Sequence, residues 1–246
     1  MTVKALIFDV DGTLAETEEI HRAAFNQAFA EAGVGWFWTP DLYARLLRVT
    51  GGRERMAAYA AEMGTAPLDF SALHRRKTDI FNAMLRRGPI ALRPGVADLI
   101  RAGRARGLRL AIATTTSRPN VGSLMVATLG EDALGWFDSI RTGEDVVRKK
   151  PSPEVYGLAL ADLALRPCEC LAFEDSANGL RAALAAGIPT AVTPSLYSAG
   201  EDFTGAAWLG EDLTTLAAAC AAEGAGFGRS FTANGRSLDI DEASAV

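Results

Sequence analysis

After residue 88, short apolar runs alternate with segments in which apolar residues recur at helical spacing. The apolar runs are nearly continuous, which is typical of strands buried on both faces of a parallel sheet. The helical segments end beside glycines such as Gly107, Gly130 and Gly187. Strands are predicted in 108–116, 139–145, 170–176, 189–194 and 206–210, and helices in 93–107, 118–130, 152–165 and 178–187. This alternation predicts an α/β fold with a doubly wound parallel sheet.

Residues 4–10 (KALIFDV) have the same strand-like character, but a long helical stretch separates them from the next strand. Within residues 17–88 the apolar positions follow the helical period, and no strand-like alternation interrupts them. The helical patterns cover 20–33, 40–49, 53–64 and 69–87. We therefore predict an α-helical cap inserted at 17–88, and an α/β core made of residues 1–16 and 89–246.

The last part of the sequence, residues 228–246, has a less certain pattern. Two short strand-like runs flank Asn234-Gly235, a dipeptide that is typical of tight hairpin turns. A frayed tail is an equally good interpretation, because the chain closes with the polar sequence DEASAV. Both interpretations stay open.

Composition and charge exclude several classes of partner. The 246 residues are 49% hydrophobic and 22% charged, as in ordinary globular proteins. The net charge of −5 does not indicate a nucleic-acid-binding protein. No apolar run approaches the roughly 20 residues of a membrane span, and the N-terminus has no signal-peptide pattern. We expect a cytoplasmic protein, a monomer or weak oligomer, with neither nucleic acid nor membrane as partner.

The cysteines carry no chemistry in this interpretation. Their number is odd (Cys168, Cys170 and Cys220), which argues against a disulfide framework in a chain of this length. Cys168 and Cys170 are two residues apart, but no second Cys/His pair at zinc spacing accompanies them. We expect small apolar core residues.

Polar side chains follow the predicted strands at the point where each strand ends, which is where open α/β sheets bind ligands. The first strand ends in Asp9-Val10-Asp11-Gly12-Thr13 and the next in Thr114-Thr115-Thr116-Ser117, and later segments bring Lys149-Lys150 and Glu174-Asp175-Ser176. Acidic residues, hydroxyls and a lysine are therefore expected at one edge of the sheet.

The residue types at this edge suit phosphate chemistry. Asp9, Asp11, Glu174 and Asp175 offer the oxygen ligands that Mg²⁺ prefers, and hydroxyls and lysine suit phosphate oxygens. A carboxylate beside a phosphate can act as nucleophile and form an aspartyl-phosphate. A second carboxylate two residues later can protonate the leaving oxygen and then activate water. This division of labour explains the Asp-Val-Asp spacing.

Each of these motifs taken alone has an ordinary structural explanation. Asp-x-Asp-Gly also occurs in calcium loops, the threonines could cap a strand end, and Asp175 could sit at a helix N-terminus. Four motifs in order, each at the end of a predicted strand, are hard to attribute to coincidence.

The four motifs, DVDGT, ATTTS, KKPSP and FEDSANG, resemble those of haloacid-dehalogenase-type phosphatases over residues from about 3 to 210. The resemblance implies Asp9 as nucleophile, Asp11 as general acid and base, and Thr114 and Lys150 as phosphate ligands. It implies Mg²⁺ held by Asp9, the Asp11 carbonyl and Asp175, with Glu174 assisting. The helical insertion matches the small cap of the members that act on small metabolites.

Two basic clusters in the predicted cap indicate a second anion site. The glycine-rich stretch VTGGRER places Arg53 and Arg55 at a turn that opens a helix, and LHRRKTD brings Arg76 and Lys77. A solvated basic helix face is the ordinary alternative for each of these residues. We expect Arg53 or Arg55 to bind a non-reacting phosphate, while Lys150 and the Thr114 hydroxyl bind the one transferred.

The stretches LLRVTGGRERM, HRRKTDIF and TTTSRPNV closely resemble the CbbY branch of the family, which is associated with carbon-fixation operons of the Calvin cycle. That branch includes phosphatases that remove one phosphate from xylulose-1,5-bisphosphate, a Rubisco inhibitor. The resemblance implies a phosphorylated-sugar substrate and a pocket lined by Glu18, His21, Gly51, Gly52, Arg53, Arg55, Arg76, Lys77, Thr115, Thr116, Ser117 and Asn120.

Three other functions stay open. A phosphosugar mutase of the β-phosphoglucomutase type shares the expected fold and aspartyl-phosphate, and His21 occupies the place of a cap histidine in such mutases. A phosphatase for phosphoglycolate or another monophosphate would leave the basic cap without a role. A non-enzymatic phosphometabolite-binding protein on a retired core is a different class, but every chemical position is intact here.

Overall fold

The computed structural model describes residues 3–65 and 68–222. Within these ranges the strands are β1 (Ala5–Phe8), β2 (Arg109–Ala113), β3 (Ser139–Arg141), β4 (Cys170–Glu174), β5 (Thr190–Val192) and β6 (Trp208–Leu209). They form one sheet in the order β3-β2-β1-β4-β5-β6, and every neighbouring pair is parallel. The predicted parallel sheet is confirmed. The hairpin proposed around Asn234-Gly235 lies outside the described residues.

The first eight described helices occupy the positions that the apolar periodicity predicts, whereas the ninth was not predicted. The described helices are α1 (Glu18–Glu31), α2 (Pro40–Leu46), α3 (Gly52–Met63), α4 (Phe70–Arg87), α5 (Val96–Ala105), α6 (Arg118–Leu129), α7 (Glu154–Leu163), α8 (Ala177–Ala185) and α9 (Thr214–Ala221). Two short 3₁₀ helices cover Glu131–Trp136 and Pro167–Glu169. No described helix is long and apolar enough to cross a membrane.

Both faces of the sheet are covered, because successive strand residues point to opposite sides and both sets are apolar. Leu6 and Phe8 of β1 pack with residues of α5, α6 and α9 on one face, whereas Ala5 and Ile7 pack with residues of α7 and α8 on the other. Of the free cysteines, Cys170 and Cys220 are buried in these two cores, as expected, and Cys168 is half-buried. The sheet is doubly wound.

The helices α1 to α4 follow β1 and form a third apolar cluster of their own. Its fully buried aromatic side chains are Phe25, Phe29, Trp38 and Tyr43. The C-terminal half of α4 also packs on the main core through Ile80, Phe81 and Leu85. We call residues 17–88 the cap, and its boundaries stay a prediction.

The register of the central strands decides where the site lies. Phe8, the last residue of β1, pairs with Ile112 of β2 on one side and with Phe173 of β4 on the other. The three strands therefore end at nearly the same level, and the polar residues that follow them meet at one edge of the sheet.

Candidate active site

Lys150 lies at the centre of this edge. It comes from the segment between β3 and α7, and its Nζ donates to Asp9 Oδ1 and Glu174 Oε1, each at 2.6 Å. The Tyr156 hydroxyl, from α7, also donates to Glu174. Burial by itself lowers the pKa of Lys150, but the two carboxylates outweigh it and hold the pKa above its usual value. The ammonium group is therefore charged and fixed in position.

Three carboxylates crowd together beside this lysine. Oxygens of Asp9, Glu174 and Asp175 lie within 4.8 Å of one another, and Glu174 Oε2 is buried without a hydrogen bond. Burial raises the pKa of Asp9 to about 7, although Lys150 opposes this. Burial, then Asp9 and Glu174, raise the pKa of Asp175 well above its usual range. Crowded, desolvated oxygens of this kind fit a hard divalent cation, which would relieve their repulsion.

Two glycines make room for these carboxylates. A Cβ on Gly12 would lie 2.2 Å from Asp175 Oδ2, and Gly12 has a φ of +80°, which disfavours other residues. A Cβ on Gly179 in α8 would lie 1.8 Å from Glu174 Oε2. The glycines of the DVDGT and FEDSANG motifs thus allow the acidic side chains to approach one another.

Asp11 is held apart from the other acids by residues next to and within α1. Its Oδ1 accepts a hydrogen bond from Thr17 Oγ1 at 2.6 Å and lies 3.0 Å from His21 Nε2. Burial by itself raises the pKa of Asp11. The charge and hydrogen bond of His21, together with the hydrogen bond from Thr17, outweigh burial and hold the pKa of Asp11 well below its usual range. The side chain expected to exchange protons is therefore positioned by the start of the cap.

A buried lysine extends this chain of contacts. Lys77 Nζ lies 2.6 Å from His21 Nδ1, and 4.7 and 5.1 Å from the ring centroids of Phe25 and Phe81. His21 itself stacks on Phe81 with a centroid separation of 3.9 Å. Burial lowers the pKa of Lys77 to about 7, although the Asp11 carboxylate favours its charged form. Lys77 thus presents a titratable cation to the cleft.

Arg55 provides a second buried cation. Its Nη1 donates to the Tyr43 hydroxyl at 3.0 Å, and that hydroxyl donates to Glu18 Oε2 at 2.7 Å. Its Nε donates to the carbonyls of Leu46 and Val49, each at 3.2 Å. The guanidinium is fixed by its own cap rather than by the core.

Hydroxyl and amide groups after β2 line the opposite wall. Asn120 Nδ2 donates to Thr116 Oγ1 at 3.0 Å, and the Thr116 amide donates to Thr114 Oγ1 at 3.2 Å. Ser117 Oγ and Asn120 Oδ1 are buried in this wall without hydrogen-bond partners. Because buried polar atoms without partners are costly, both are suited to bind polar groups of a ligand.

The structure brings all the predicted site residues except Arg53 and Arg76 into one cleft between the sheet edge and the cap. The Arg53 side chain is 61% exposed and lies 3.6 Å from Glu54. Arg76 is 54% exposed and pairs with Glu31 at 2.5 Å. The helices that carry these two residues turn them away from the cleft. Arg53 or Arg55 was expected to bind the non-reacting phosphate, and of these two arginines only Arg55 lines the cleft.

The comparisons with known proteins agree with this geometry. The family model of haloacid dehalogenase-like hydrolases matches residues 3–187. CbbY of Rhodobacter capsulatus is 51% identical to this chain over 219 residues, which cover 88% of this chain and 96% of that protein. The chain belongs to the haloacid dehalogenase-like hydrolases. The family predicted from the four motifs is thereby confirmed.

Solved structures support the same assignment for this hydrolase. Two crystal structures of CbbY from Rhodobacter sphaeroides, one with phosphate and one of a mutant with xylulose-1,5-bisphosphate, match it with a TM-score of 0.85 and 49% identity. Each match covers 87% of this chain and 96% of the crystallised chain. The overall fold therefore matches that of the CbbY structures.

The hydrolase also uses residues that its sequence motifs did not single out. Ser198 Oγ donates to the Asp175 carbonyl at 2.6 Å and accepts from the Ser195 amide at 2.8 Å, so this loop supports an acidic residue of the site. The loop follows β5, and the rule that ligands bind at strand ends could have identified it. No sequence motif pointed to Tyr43, whose hydroxyl links Arg55 to Glu18.

His74 also lines the cleft, and the motifs did not reveal it. It belongs to the basic stretch LHRRKTD, in which the two arginines and the lysine are the more obvious anion ligands. Burial, followed by the charges of Lys77 and Lys149, lowers the pKa of His74 to about 3. The imidazole is therefore neutral in the cleft and available as a hydrogen-bonding group.

Proposed function

We propose that this hydrolase removes one phosphate from a sugar bisphosphate, and specifically from xylulose-1,5-bisphosphate, through an aspartyl-phosphate on Asp9. One observation carries the proposal: a single cleft has the carboxylate–lysine centre at one end and the buried cations Arg55 and Lys77 on the cap. A substrate with two phosphates can occupy both positions. The xylulose-1,5-bisphosphate held by a CbbY mutant gives further support.

In this mechanism, Asp9 Oδ attacks the phosphorus in line with the ester oxygen, and the P–O ester bond breaks as the Asp9–phosphate bond forms. Asp11 is ionised in the free protein, so it must first take up a proton from solvent as the phosphate dianion enters, and it gives that proton to the leaving sugar oxygen. It then takes a proton from water, whose oxygen attacks the phosphorus and releases inorganic phosphate from Asp9. Thr17 and His21, which contact Asp11, keep its carboxyl group aimed at this position.

Lys150 and Thr114 are assigned to the oxygens of the transferred phosphate. Lys150 is charged and fixed before substrate arrives, so little reorganisation accompanies the transfer. Asp9, the Asp11 carbonyl, Asp175 and Glu174 would hold Mg²⁺, which supplies charge neutralisation at the phosphate when bound. Arg55 and Lys77 are assigned to the remote phosphate, whose binding orients the sugar for attack.

The cellular setting forms part of the same proposal. Clearing a Rubisco inhibitor would place the enzyme beside the Calvin cycle, and its charged sugar-phosphate substrate would be found in the cytoplasm. We keep a monomer or weak oligomer as the expected state, since the cleft is assembled from the residues of one chain.

Release of inorganic phosphate from a panel of substrates tests the proposal. The panel holds xylulose-1,5-bisphosphate, ribulose-1,5-bisphosphate, phosphoglycolate and glucose 1-phosphate, each with Mg²⁺ and with EDTA. We expect Mg²⁺-dependent release that is strongest from xylulose-1,5-bisphosphate, with ribulose-1,5-bisphosphate spared. Release mainly from phosphoglycolate would keep the assignment of Asp9 and overturn that of Arg55 and Lys77.

The contacts of His21 keep the mutase alternative open, because they join the acid–base residue directly to the cap. Glucose 1-phosphate supplied with its bisphosphate activator separates the two functions. Formation of the 6-phosphate without free inorganic phosphate would identify a mutase and contradict the hydrolytic proposal.

A further inference from the structure

Asn178 connects the core directly to the cap. It lies in the FEDSANG motif near the start of α8, three residues after Asp175, and it makes no contact with the carboxylate–lysine centre among its hydrogen bonds. Its Nδ2 donates to the Arg48 carbonyl at 3.2 Å and to Thr50 Oγ1 at 3.1 Å, and both acceptors belong to the cap. A core side chain is thus the donor for a cap turn.

The orientation of this amide is fixed independently. Arg181, one turn later in α8, donates from Nη2 to Asn178 Oδ1 at 2.6 Å. Because a guanidinium can only donate, the oxygen of the Asn178 amide must face Arg181 and the NH₂ group must face the cap. The two hydrogen bonds to the cap are therefore assigned without ambiguity.

The turn that Asn178 binds, residues 46–51, also holds Arg55. The Nε of Arg55 donates to the carbonyls of Leu46 and Val49, which flank the Arg48 carbonyl that Asn178 binds. The turn therefore lies between a core amide on one side and the buried guanidinium on the other. Any shift of the turn away from the core moves the acceptors that aim Arg55.

A second close contact holds the same turn to the core. A Cβ on Gly51, whose φ is +94°, would lie 2.5 Å from Cδ of Lys149. The Lys149 side chain is itself anchored, because its Nζ donates to the Gly143 carbonyl at 3.0 Å. The backbone of the turn thus lies directly against a fixed core side chain, and only glycine permits that approach.

We infer that Asn178 is a positioning residue for the remote phosphate: by binding the turn 46–51 it sets the place of Arg55 relative to Asp9. This inference rests on the proposed function, because it assigns Arg55 to a second phosphate. It gives the motif that contributes Asp175 an additional task, which is to seat the cap at the correct distance for a bisphosphate.

Two substitutions isolate the donor. Asn178→Asp keeps the size and the oxygen that Arg181 binds but loses the NH₂ group, whereas Asn178→Ala removes the group without adding charge. The loss of two hydrogen bonds predicts a fall of about tenfold or more in kcat/KM for xylulose-1,5-bisphosphate, mainly through an increase in KM. Hydrolysis of p-nitrophenyl phosphate, which has no second phosphate, should fall far less in both variants.

Asn26→Asp is the matched control. Asn26 also makes two hydrogen bonds, to the amide and carbonyl of Trp38, but both lie within the cap and away from the core. The control should destabilise the cap without separating the two substrates. Equal losses for the two substrates in Asn178→Asp and Asn178→Ala, or no loss for the bisphosphate, would overturn the inference.

A double-mutant cycle with Thr50→Val tests the contact itself. If Asn178 and Thr50 act through their hydrogen bond, the double variant Asn178→Ala/Thr50→Val loses less than the sum of the two single variants. Additive losses in kcat/KM would show that the residues act separately and would contradict the inference.

Hydrogen exchange provides a readout that needs no substrate. In Asn178→Ala, the peptide covering residues 46–56 should exchange several-fold faster than in the wild type, while peptides from the sheet keep their rates. If exchange is faster in Asn178→Ala but the wild type has no bisphosphatase activity, the proposed function is wrong. Asn178 would still be the residue that positions the turn 46–51. Unchanged exchange would reject that role whatever the substrate.

Discussion

Lys150 Nζ lies 2.6 Å from Oδ1 of Asp9, so the ammonium group contacts the carboxylate expected to attack phosphorus. The same nitrogen lies 2.6 Å from Glu174 Oε1, and both carboxylates keep the lysine charged. Lys150 therefore holds the reactive carboxylate in place before substrate binds and offers a positive charge where the phosphate oxygens arrive.

Replacing this lysine should damage turnover of every phosphate ester. We expect Lys150→Met to lower kcat/KM by about 10²–10³-fold for the bisphosphate and for an aryl phosphate alike, because both use the same charge at the reacting phosphate. Steady-state kinetics with the two substrates measure this. Arg148→Met is the control, since the Arg148 side chain is 80% exposed. A loss confined to the bisphosphate would contradict the assignment of Lys150.

Metal binding should be visible in stability as well as in activity. With Mg²⁺ at about 100 times its Kd, the free energy of unfolding should rise by about 2.7 kcal/mol relative to EDTA, if the ion binds only the folded state. The gain should disappear in Asp175→Asn, which removes one of the three crowded carboxylates. Urea unfolding measures it.

The control for the metal experiment is Asp98→Asn, because the Asp98 side chain is 77% exposed and lies on α5, away from the three carboxylates. Its response to Mg²⁺ should equal that of the wild type. An equal response in Asp175→Asn would show that the ion binds elsewhere.

The two arginines of VTGGRER should behave differently. Arg55 is buried in the cleft, and hydrogen bonds to charged groups contribute about 1.5–3 kcal/mol, so Arg55→Met should raise KM for the bisphosphate by about 10–100-fold. Arg53→Met should leave KM within about twofold, because an exposed ion pair contributes little. Kinetics on both variants measure this, and a larger effect of Arg53→Met would refute the placement of these side chains.

This difference shows what the sequence could and could not predict. Glycines, two basic residues and a helix from about residue 53 were visible in VTGGRER, but the side of that helix that faces the cleft was not. Since α3 begins at Gly52, Arg53 and Arg55 lie roughly 200° apart around the helix, at 100° per residue. Which of them enters the cleft depends on how the helix packs.

For α4 the necessary signal was present in the sequence. Leu73, Lys77, Phe81 and Leu85 recur at four-residue intervals along one helix face, and all four are buried, whereas Arg76 lies to the side of that face. The apolar period alone therefore favoured Lys77 over Arg76 as the inward cation. The meeting of Asp9, Thr114 and Glu174 at one edge had a different signal: the carboxyl ends of parallel strands lie at the same edge of a sheet, whatever the strand order.

The pKa of Lys77 predicts a dependence of substrate binding on pH. Burial lowers this pKa to about 7. The carboxylates of Asp11 and Glu18 raise it, and the charge of Arg55 lowers it further. Lys77 is therefore charged below pH 7 and loses its proton above it. Because a phosphate dianion binds the ammonium form, KM for the bisphosphate should rise above pH 7, by up to about tenfold per pH unit.

The pH profile of Lys77→Met identifies the group responsible. This variant should have a higher KM at pH 6 and no further rise above pH 7. An aryl phosphate, which lacks the second phosphate, serves as the control for titration of the reacting centre. If Lys77→Met kept the same rise in KM, the titration would belong to another group, and the assignment of Lys77 to the remote phosphate would fail.

Arg93 ties the turn after β1 to distant parts of the core, and nothing in the sequence pattern indicated this. Its Nη1 donates to the carbonyls of Gly12 and Thr193, and its Nη2 to those of Pro194 and Glu211. The side chain is only 11% exposed. Four main-chain carbonyls from three segments thus share one guanidinium, a geometry that a lysine cannot reproduce.

Removing that guanidinium should destabilise the fold strongly. Because partly buried carbonyls would lose a charged donor, Arg93→Met should lower the free energy of unfolding by about 3 kcal/mol or more. Arg106→Met is the matched control: Arg106 donates to the carbonyls of Cys220 and Ala222 at the C-terminal end of α9, so about 1 kcal/mol is expected. Urea unfolding with matched slopes measures both. If the two variants lost equal free energy of unfolding, the additional carbonyls that Arg93 binds would contribute nothing. The Gly12 turn would then not depend on Arg93.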